Sequence, residues 1–304
     1  MANPKASRTS LRELVQYGEQ VLAATSPSPK LDAEVLLAFI TKIERYKFLT
    51  DPTAHVPPLD VEAYHALLAR RKNREPVAYL TGVKEFYSRE FIVTPAVLIP
   101  RPESELVVDR ALSVLQQSAI TSDKMIAILD LGVGSGCLLL TVIAELLRKG
   151  CQCRGVGVDI SPGALEIAQR NAEALGVTER VTFLQGSWCE PLDTAALTSF
   201  DIILANPPYV GESEEVSPET KFEPHGALYA QQHGLRDVRT ILQQAAPFLV
   251  QDGTILIEVG AYKRKRLQDS LLQEEAITSQ WGALSLLGDA SEDDRFTIIE
   301  GKKG

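Results

Sequence analysis

Long apolar runs are missing from this sequence. No window of its 304 residues reaches the roughly 18 uninterrupted apolar positions a membrane-spanning helix needs, so no span of that kind is expected. Met1 to Ser10 carry basic residues with no apolar run behind them. A secretory leader is therefore not expected, and the cytosol is the anticipated compartment. Cysteine is scarce as well. Of Cys137, Cys151, Cys153 and Cys189, only the middle two are close, and one intervening residue is a poor spacing for metal ligands. These thiols read as buried or incidental in a reducing compartment, and no metal site is expected. The four histidines, His55, His65, His225 and His233, follow no catalytic spacing and read as surface or packing residues. Positive charge is also in deficit, with a formal net charge of −9. Proteins that neutralise many phosphates usually carry a basic surplus, so the balance counts against a nucleic-acid partner without excluding a local patch.

What is present is the material of sizeable cores: 45% of the residues are apolar and 23% charged. The length accommodates two domains. Residues 1–83 read as a small helical bundle. Ser10 and Glu13 form a capping-box pattern ahead of Leu11, Leu14, Val15, Val21 and Leu22 on one helical face. A second helix is expected after Asp32, with Leu36, Leu37 and Ile40, and a third after Asp60, with Val61, Tyr64, Leu67 and Leu68. Residues 84–105 read as a linker. Their aromatic, β-branched stretch from Glu85 to Val93 suggests a hairpin, and Pro95, Pro100 and Pro102 punctuate an extended connection.

Residues 106–304 alternate strand and helix, the pattern of an α/β domain with a parallel sheet covered on both faces. Strands are expected at 126–131, 155–159, 181–184, 202–204 and 255–259. Helices are expected at about 137–148, from the Ser161 cap and Pro162 to Gly176, and at 235–249. No internal repeat or low-complexity segment stands out.

Two motifs carry chemistry. Asp130-Leu131-Gly132-Val133-Gly134-Ser135-Gly136 joins a strand to a helix. Its glycines permit a tight turn and close approach of a ligand to the backbone, beside the free N–H groups of a helix start. Asp159 ends the following strand, where a carboxylate can accept both hydroxyls of a ribose. Together they indicate a nucleoside-containing ligand. The spacing G-x-G-x-G, rather than G-x-G-x-x-G, resembles the first motif of class I methyltransferases; a dehydrogenase stays open at this point. The second motif is Asn206-Pro207-Pro208-Tyr209, after the 202–204 strand. Two prolines stiffen the loop and remove its donors, leaving carbonyls beside the Asn206 side-chain oxygen to hold an –NH₂ group. Tyr209 offers a face on which a planar group can stack. Such a site suits methyl transfer to an amide or aryl amine, whose weakly nucleophilic nitrogen must be aimed and its developing charge stabilised.

The tetrapeptide resembles that of the [N/D]-P-P-[Y/F/W] methyltransferases, which act on planar amino groups of nucleic acids and proteins. Further stretches narrow the resemblance: 74–82, Glu85-Phe86-Tyr87, 98–105, 32–37, Phe222-Glu223-Pro224 with Ala227-Leu228, Gly234-Leu235 and Ile257-Glu258-Val259-Gly260. Across residues 10–300 the chain is similar to the bacterial release factor glutamine N5-methyltransferases. That resemblance implies a helical N-terminal domain that helps dock a peptide chain release factor. It also implies a Rossmann-like domain for S-adenosylmethionine and the Gly-Gly-Gln loop of the substrate. No direct nucleic-acid partner and no membrane partner is expected, and the sequence leaves the oligomeric state open, with a monomer favoured. By position, Gly132, Val133, Gly134, Ser135, Gly136, Asp159, Trp188 and Asn206 would bind the cofactor. Asn206, Pro207, Pro208 and Tyr209 would hold the target glutamine, with Asn206 and Pro207 catalytic. Phe86 and Arg101 would shape the pocket mouth, unless Arg101 instead pairs with Glu103 or Glu105. The chain departs from the family in placing Gly186-Ser187, not an acid, before Trp188. The rivals are a nucleic-acid amino methyltransferase with the same loop and a binding module without catalysis.

Overall fold

The computed structural model describes residues 9–117, 124–195, 197, 199–211, 214–288 and 296–304. They form two compact units: the first takes Met1–Val83 with Val216–Phe222, the second Lys84–Glu215 with Glu223–Gly304.

In the first unit, α1 (Leu11–Leu22), α2 (Pro29–Thr41), the single turn α3 (Lys47–Thr50), α4 (Pro58–Lys72) and the short α5 (Val77–Thr81) enclose one apolar core. α1 opens with a complete capping box: Ser10 N–H donates to Glu13 Oε2 at 2.8 Å and Glu13 N–H to Ser10 Oγ at 3.4 Å. Leu11, Leu14, Leu36, Leu37 and Leu68 are almost fully buried around Tyr64, whose hydroxyl donates to the Leu14 and Ala33 carbonyls. Proline sets the starts of α2 and α4, three and two residues ahead of the aspartates expected to begin them, because its fixed φ and absent N–H suit a first turn. Asp32 thereby falls inside α2, where it accepts from Arg71 Nε at 2.8 Å. Arg71 also reaches Glu219, 3.3 Å away on the segment that returns to this unit.

The segment expected as a linker belongs to the second unit. Its hairpin is β1 (Val83–Phe86) and β2 (Arg89–Ile92), turned through Tyr87 and Ser88 at φ +52° and +58°. Both positive φ values match the right-handed twist of a two-residue hairpin. Asn171 fixes the strand that follows: its Oδ1 accepts from Ile92 N–H at 2.7 Å and its Nδ2 donates back to Ile92 O. Beyond come α6 (Glu105–Gln117), β3 (Ile126–Leu131), α7 (Cys137–Arg148), β4 (Cys153–Asp159), α8 (Pro162–Ala174), β5 (Val181–Gln185), α9 (Glu190–Thr194) and β6 (Phe200–Ala205). After β6 lie two short turns, α10 (His225–Leu228) and α11 (Gln231–Gly234), then α12 (Arg236–Gln244), β7 (Leu249–Gly260), β8 (Ala283–Gly288) and β9 (Phe296–Lys302).

The strands form one sheet in the order β5-β4-β3-β6-β7-β9-β8, parallel except that β9 runs antiparallel to both neighbours. Strand side chains alternate between two cores. Ile126, Ile128, Ile202 and Leu204 join α6, α7 and α8 on one face, and Leu129, Leu131, Ile203 and Ala205 join α9 and α12 on the other. α12 is shorter than the 235–249 helix expected. Pro247 has no N–H to continue it, so the chain tightens into a 3₁₀ turn at Ala246–Phe248 and enters β7.

Candidate active site

β3 and β6 lie side by side, but the chain leaves β3 toward β4 and arrives at β6 from β5, so the connections diverge. A crevice opens at the carboxyl ends of such a pair. Here it holds a cavity of about 610 Å³, within the roughly 300–1,000 Å³ of small-molecule sites.

β3 supplies one wall. Gly132, Gly134 and Gly136 have φ of +80°, +53° and +82°, a region a Cβ makes costly; Gly132 and Gly134 bring bare backbone to the cavity, whereas Gly136 packs toward Leu140 and Ala168 and does not line it. α7 then starts without a side-chain cap, with Cys137 and Leu138 lining the cavity. Its first turn carries the partial positive charge of an open helix start. Val133 and Ser135 also line the cavity, and Ser135 O accepts from Asn171 Nδ2 at 2.8 Å. One fully buried amide thus ties the glycine turn to the hairpin strand.

Two carboxylates face this turn. Asp159, the last residue of β4, lines the cavity; its Oδ2 accepts from Gly134 N–H and its Oδ1 from Ser161 N–H, both at 2.9 Å. Burial raises its pKa, against the opposing pull of those amides. A carboxylate has lone pairs beyond those two bonds, so a ligand hydroxyl can still be received. Asp130 is 1% exposed; its Oδ2 accepts from Leu139 N–H at 3.3 Å, and its Oδ1 has no partner. Burial, reinforced by the charge of Asp159, pushes it up to about 7. The sequence reading quoted Asp130 within the motif but gave it no role.

Trp188 lines the cavity, at φ +48°, and its ring lies so close over Gly132 that a Cβ there would be 3.3 Å away. Asp237, in the first turn of α12, also lines the cavity; burial raises its carboxyl, with Arg236 and the Trp188 side chain drawing it back down. Sequence reasoning missed Asp237, because nothing local to α12 connects it with the tryptophan.

Asn206 and Pro208, at the end of β6, form the opposite wall; Pro207 is buried and Tyr209 half-buried, and neither lines the cavity. Burial raises the Tyr209 hydroxyl far above its ordinary range. Behind the wall, Asn206 Nδ2 donates to Ser104 Oγ at 3.3 Å, and the buried carboxyl of Glu258 lies near both residues, which draw its pKa down against burial. Arg101 lines the cavity but pairs with neither Glu103 nor Glu105. Its partner is Glu223, at 2.5 Å, which also accepts from Ile99 N–H at 3.1 Å. Phe86 is placed elsewhere: 1% exposed, it packs edge-on against Phe91 in the core beneath the hairpin, because its position in β1 points inward.

The arrangement can cradle a nucleoside between the glycine turn, Asp159 and Trp188, and present a carboxamide acceptor to a second molecule. Comparison with known proteins gives this geometry a lineage. The methyltransferase domain family matches residues 122–287, and the PrmC N-terminal domain family residues 13–82. The release factor glutamine methyltransferase of Buchnera aphidicola is 32% identical over 290 residues, covering 95% of this chain and 98% of that protein. The bifunctional methyltransferase of Rickettsia typhi is 36% identical over 248 residues, 76% of this chain; there the chain spans about half the relative's length, 46%. Among solved structures, the hMettl16 catalytic domain in complex with an RNA hairpin shares the fold. It has TM-score 0.54 at 10% identity, over 76% of this chain and 80% of that one. Because the Buchnera relative is matched almost end to end, both units included, this chain belongs to the release factor glutamine methyltransferase family.

Proposed function

We propose that the protein transfers a methyl group from S-adenosylmethionine to the side-chain amide nitrogen of the glutamine in the Gly-Gly-Gln motif of peptide chain release factors. The observation that carries this reading is Asn206, whose carboxamide stands on the wall of the cavity opposite the glycine turn and Asp159. The release factor is the protein partner, and the cytosol is where the two would meet.

The cavity fits the cofactor. Its volume, the bare backbone of Gly132 and Gly134, the unpartnered buried oxygen of Asp130 and the acceptors left on Asp159 match a ligand with hydroxyls, an ammonium group and a planar base. The glycine turn and Asp159 would hold the ribose and amino-acid portions, and Trp188 with Asp237 the base side. When bound, S-adenosylmethionine supplies an electrophilic sulfonium methyl. The chain's own residues supply aim and charge. Asn206 Oδ1 accepts a hydrogen of the target –NH₂, turning the nitrogen lone pair toward the methyl and stabilising the positive charge that builds there. Asp159, held by two backbone N–H groups, offers its carboxyl on the cofactor side. The methylated nitrogen then sheds a proton, so no strong base is needed.

The test is transfer of labelled methyl to purified release factor with its motif glutamine intact or replaced by alanine. Label that requires the glutamine supports the reading; label only on added RNA or DNA would assign the loop to another amino acceptor. Asn206→Ala should abolish turnover with cofactor affinity nearly unchanged. Equal loss of both would assign Asn206 to the cofactor instead.

A further inference from the structure

Glu258 takes no part in the steps above, yet it is a buried carboxyl beside the loop. It lies in an otherwise apolar stretch of β7, is 1% exposed, and its Oε2 has no hydrogen-bond partner. Burying a carboxyl with an unpaired oxygen costs stability, so its retention needs a reason.

The sheet register gives its location. β6 and β7 are parallel with Ala205 opposite Ile257, which brings the next residues, Asn206 and Glu258, abreast. Ser104, 1% exposed just ahead of α6, completes the group. The hydrogens can be counted. The Asn206 –NH₂ has two: one goes to Ser104 Oγ at 3.3 Å, and the Glu258 carboxyl stands behind the pair, near enough for both residues to draw its pKa down. Among the described residues, nothing donates to Asn206 Oδ1, and Asn206 lines the cavity.

We propose that Glu258 is a positioning residue: as a carboxylate it draws the Asn206 –NH₂ inward and turns Oδ1 to the cavity, so that the loop receives an amino group rather than a carbonyl or carboxylate. A carboxamide is nearly symmetric in shape, so packing alone cannot choose between its two ends; an acceptor behind it can. Protonated, Glu258 becomes a donor and pulls Oδ1 inward, presenting the wrong end. Burial raises Glu258 to about 7, with Glu103 adding to the rise and Ser104, Asn206 and Arg101 opposing it. The charged and titratable groups around it are Arg101 and Glu103 ahead of α6, Cys137 on α7 and Tyr209 on the loop. From β9 its paired neighbour is the apolar Ile298. Burial lifts both Cys137, to about 12, and Tyr209 out of the neutral range. Asp130 on β3 is also raised to about 7, so the test uses a substitution rather than the wild-type profile alone.

This inference rests on the methyl-transfer reading, and its test separates the two. Glu258→Gln keeps the shape but adds a donor that competes for Oδ1. On the full chain with S-adenosylmethionine and a Gly-Gly-Gln peptide, kcat should fall about 100-fold with cofactor affinity unchanged. The rise of kcat with pH between about 6 and 8 should flatten. Independently of turnover, direct titration should show the wild type preferring a Gly-Gly-Gln over a Gly-Gly-Glu peptide, and Glu258→Gln narrowing that preference about tenfold or more. Ser104→Ala, which removes one of the two inward acceptors, should narrow it in the same direction. Unchanged peptide preference in both variants overturns the proposal, as does a loss in Glu258→Gln that cofactor affinity and melting temperature share equally. A wild type that binds with this preference but does not label the peptide would sink the methyl-transfer reading and leave the positioning role standing.

Discussion

Gly234 stands 28 residues after the Asn206 loop, yet the structure makes it part of that loop's support. It closes a left-handed run, Gln232, His233 and Gly234, at φ +54°, +59° and +83°. A Cβ on Gly234 would come 2.7 Å from the Tyr209 carbonyl carbon, closer still to its oxygen, and 3.0 Å from Lys263 Nζ. None of these can yield easily. Lys263 is 2% exposed, paired with Glu214 and donating to His233 O at 2.7 Å. Downstream of Tyr209, Val210 is clamped by its N–H to Leu228 O at 3.0 Å and by Ala230 N–H to its own carbonyl at 2.9 Å. In Gly234→Ala the displacement therefore travels toward Asn206. Relieving a carbon–oxygen clash of this depth requires about 1 Å of movement, and a misplacement of that size costs on the order of 100-fold in rate. The strained φ adds roughly 1–3 kcal/mol of lost stability. Steady-state methyl transfer to a Gly-Gly-Gln peptide, calorimetric cofactor binding and thermal melting would be measured together. The expected result is kcat down about 100-fold, cofactor affinity within about threefold, and a melting temperature lower by several degrees. A kcat within about threefold of wild type would refute the argument that Gly234 holds the loop in place.

Other consequences follow from the same geometry. Asp159→Ala removes the acceptor shared by Gly134 and Ser161; cofactor affinity should fall by roughly 10- to 100-fold, and unchanged affinity in a binding titration would reject its role at the ribose. Arg71→Ala leaves Asp32 buried without its cation; denaturant unfolding should show a loss of about 3–5 kcal/mol, and a loss under 1 kcal/mol would mean that water reaches the site. Asp130 and Glu258 are both raised to about 7 by burial. A carboxyl raised in the folded state contributes stability below its unfolded pKa and loses it as pH climbs through the folded value, so unfolding free energy should decline between about pH 4 and 7 and level off above. Glu258→Gln should remove up to about 3 kcal/mol of that decline, and a variant whose decline parallels wild type would show that Glu258 is not the titrating group.

What the sequence made legible is what chain neighbours decide. β3, β4 and β6 are buried apolar runs that end at Asp, Gly or Asn, and α8 carries its own cap and first-turn proline, with Ser161 Oγ accepting from Ala164 N–H. The glycine turn announced itself because three left-handed positions in five residues favour glycine at each. The misplacements have the opposite character. Arg101 was weighed against acids two and four positions away, but its partner lies 122 positions along the chain, brought near by the return from β6. Phe86 sits in a motif that reaches the site, but strand alternation turns its ring into the core. β8 and β9 were not singled out: the exposed alternation of β8 is weak, and β9 takes its burial from β7.

Glu258 shows why the boundary falls there. As a letter between isoleucine and valine it is only an acid in a strand, and no periodicity distinguishes it from a solvent-facing edge residue. Its meaning is created by a register, Ala205 against Ile257, that brings it abreast of an asparagine 52 positions earlier, and by a serine from ahead of α6 that closes the third side. The same holds for Asn171, which joins a hairpin 79 positions before it to the glycine turn. The groups that line the cavity can be read from motifs because their backbone conformation is local. The groups that orient them are written in the pairing of distant strands, where one buried polar atom needs one partner and only the assembled sheet can supply it.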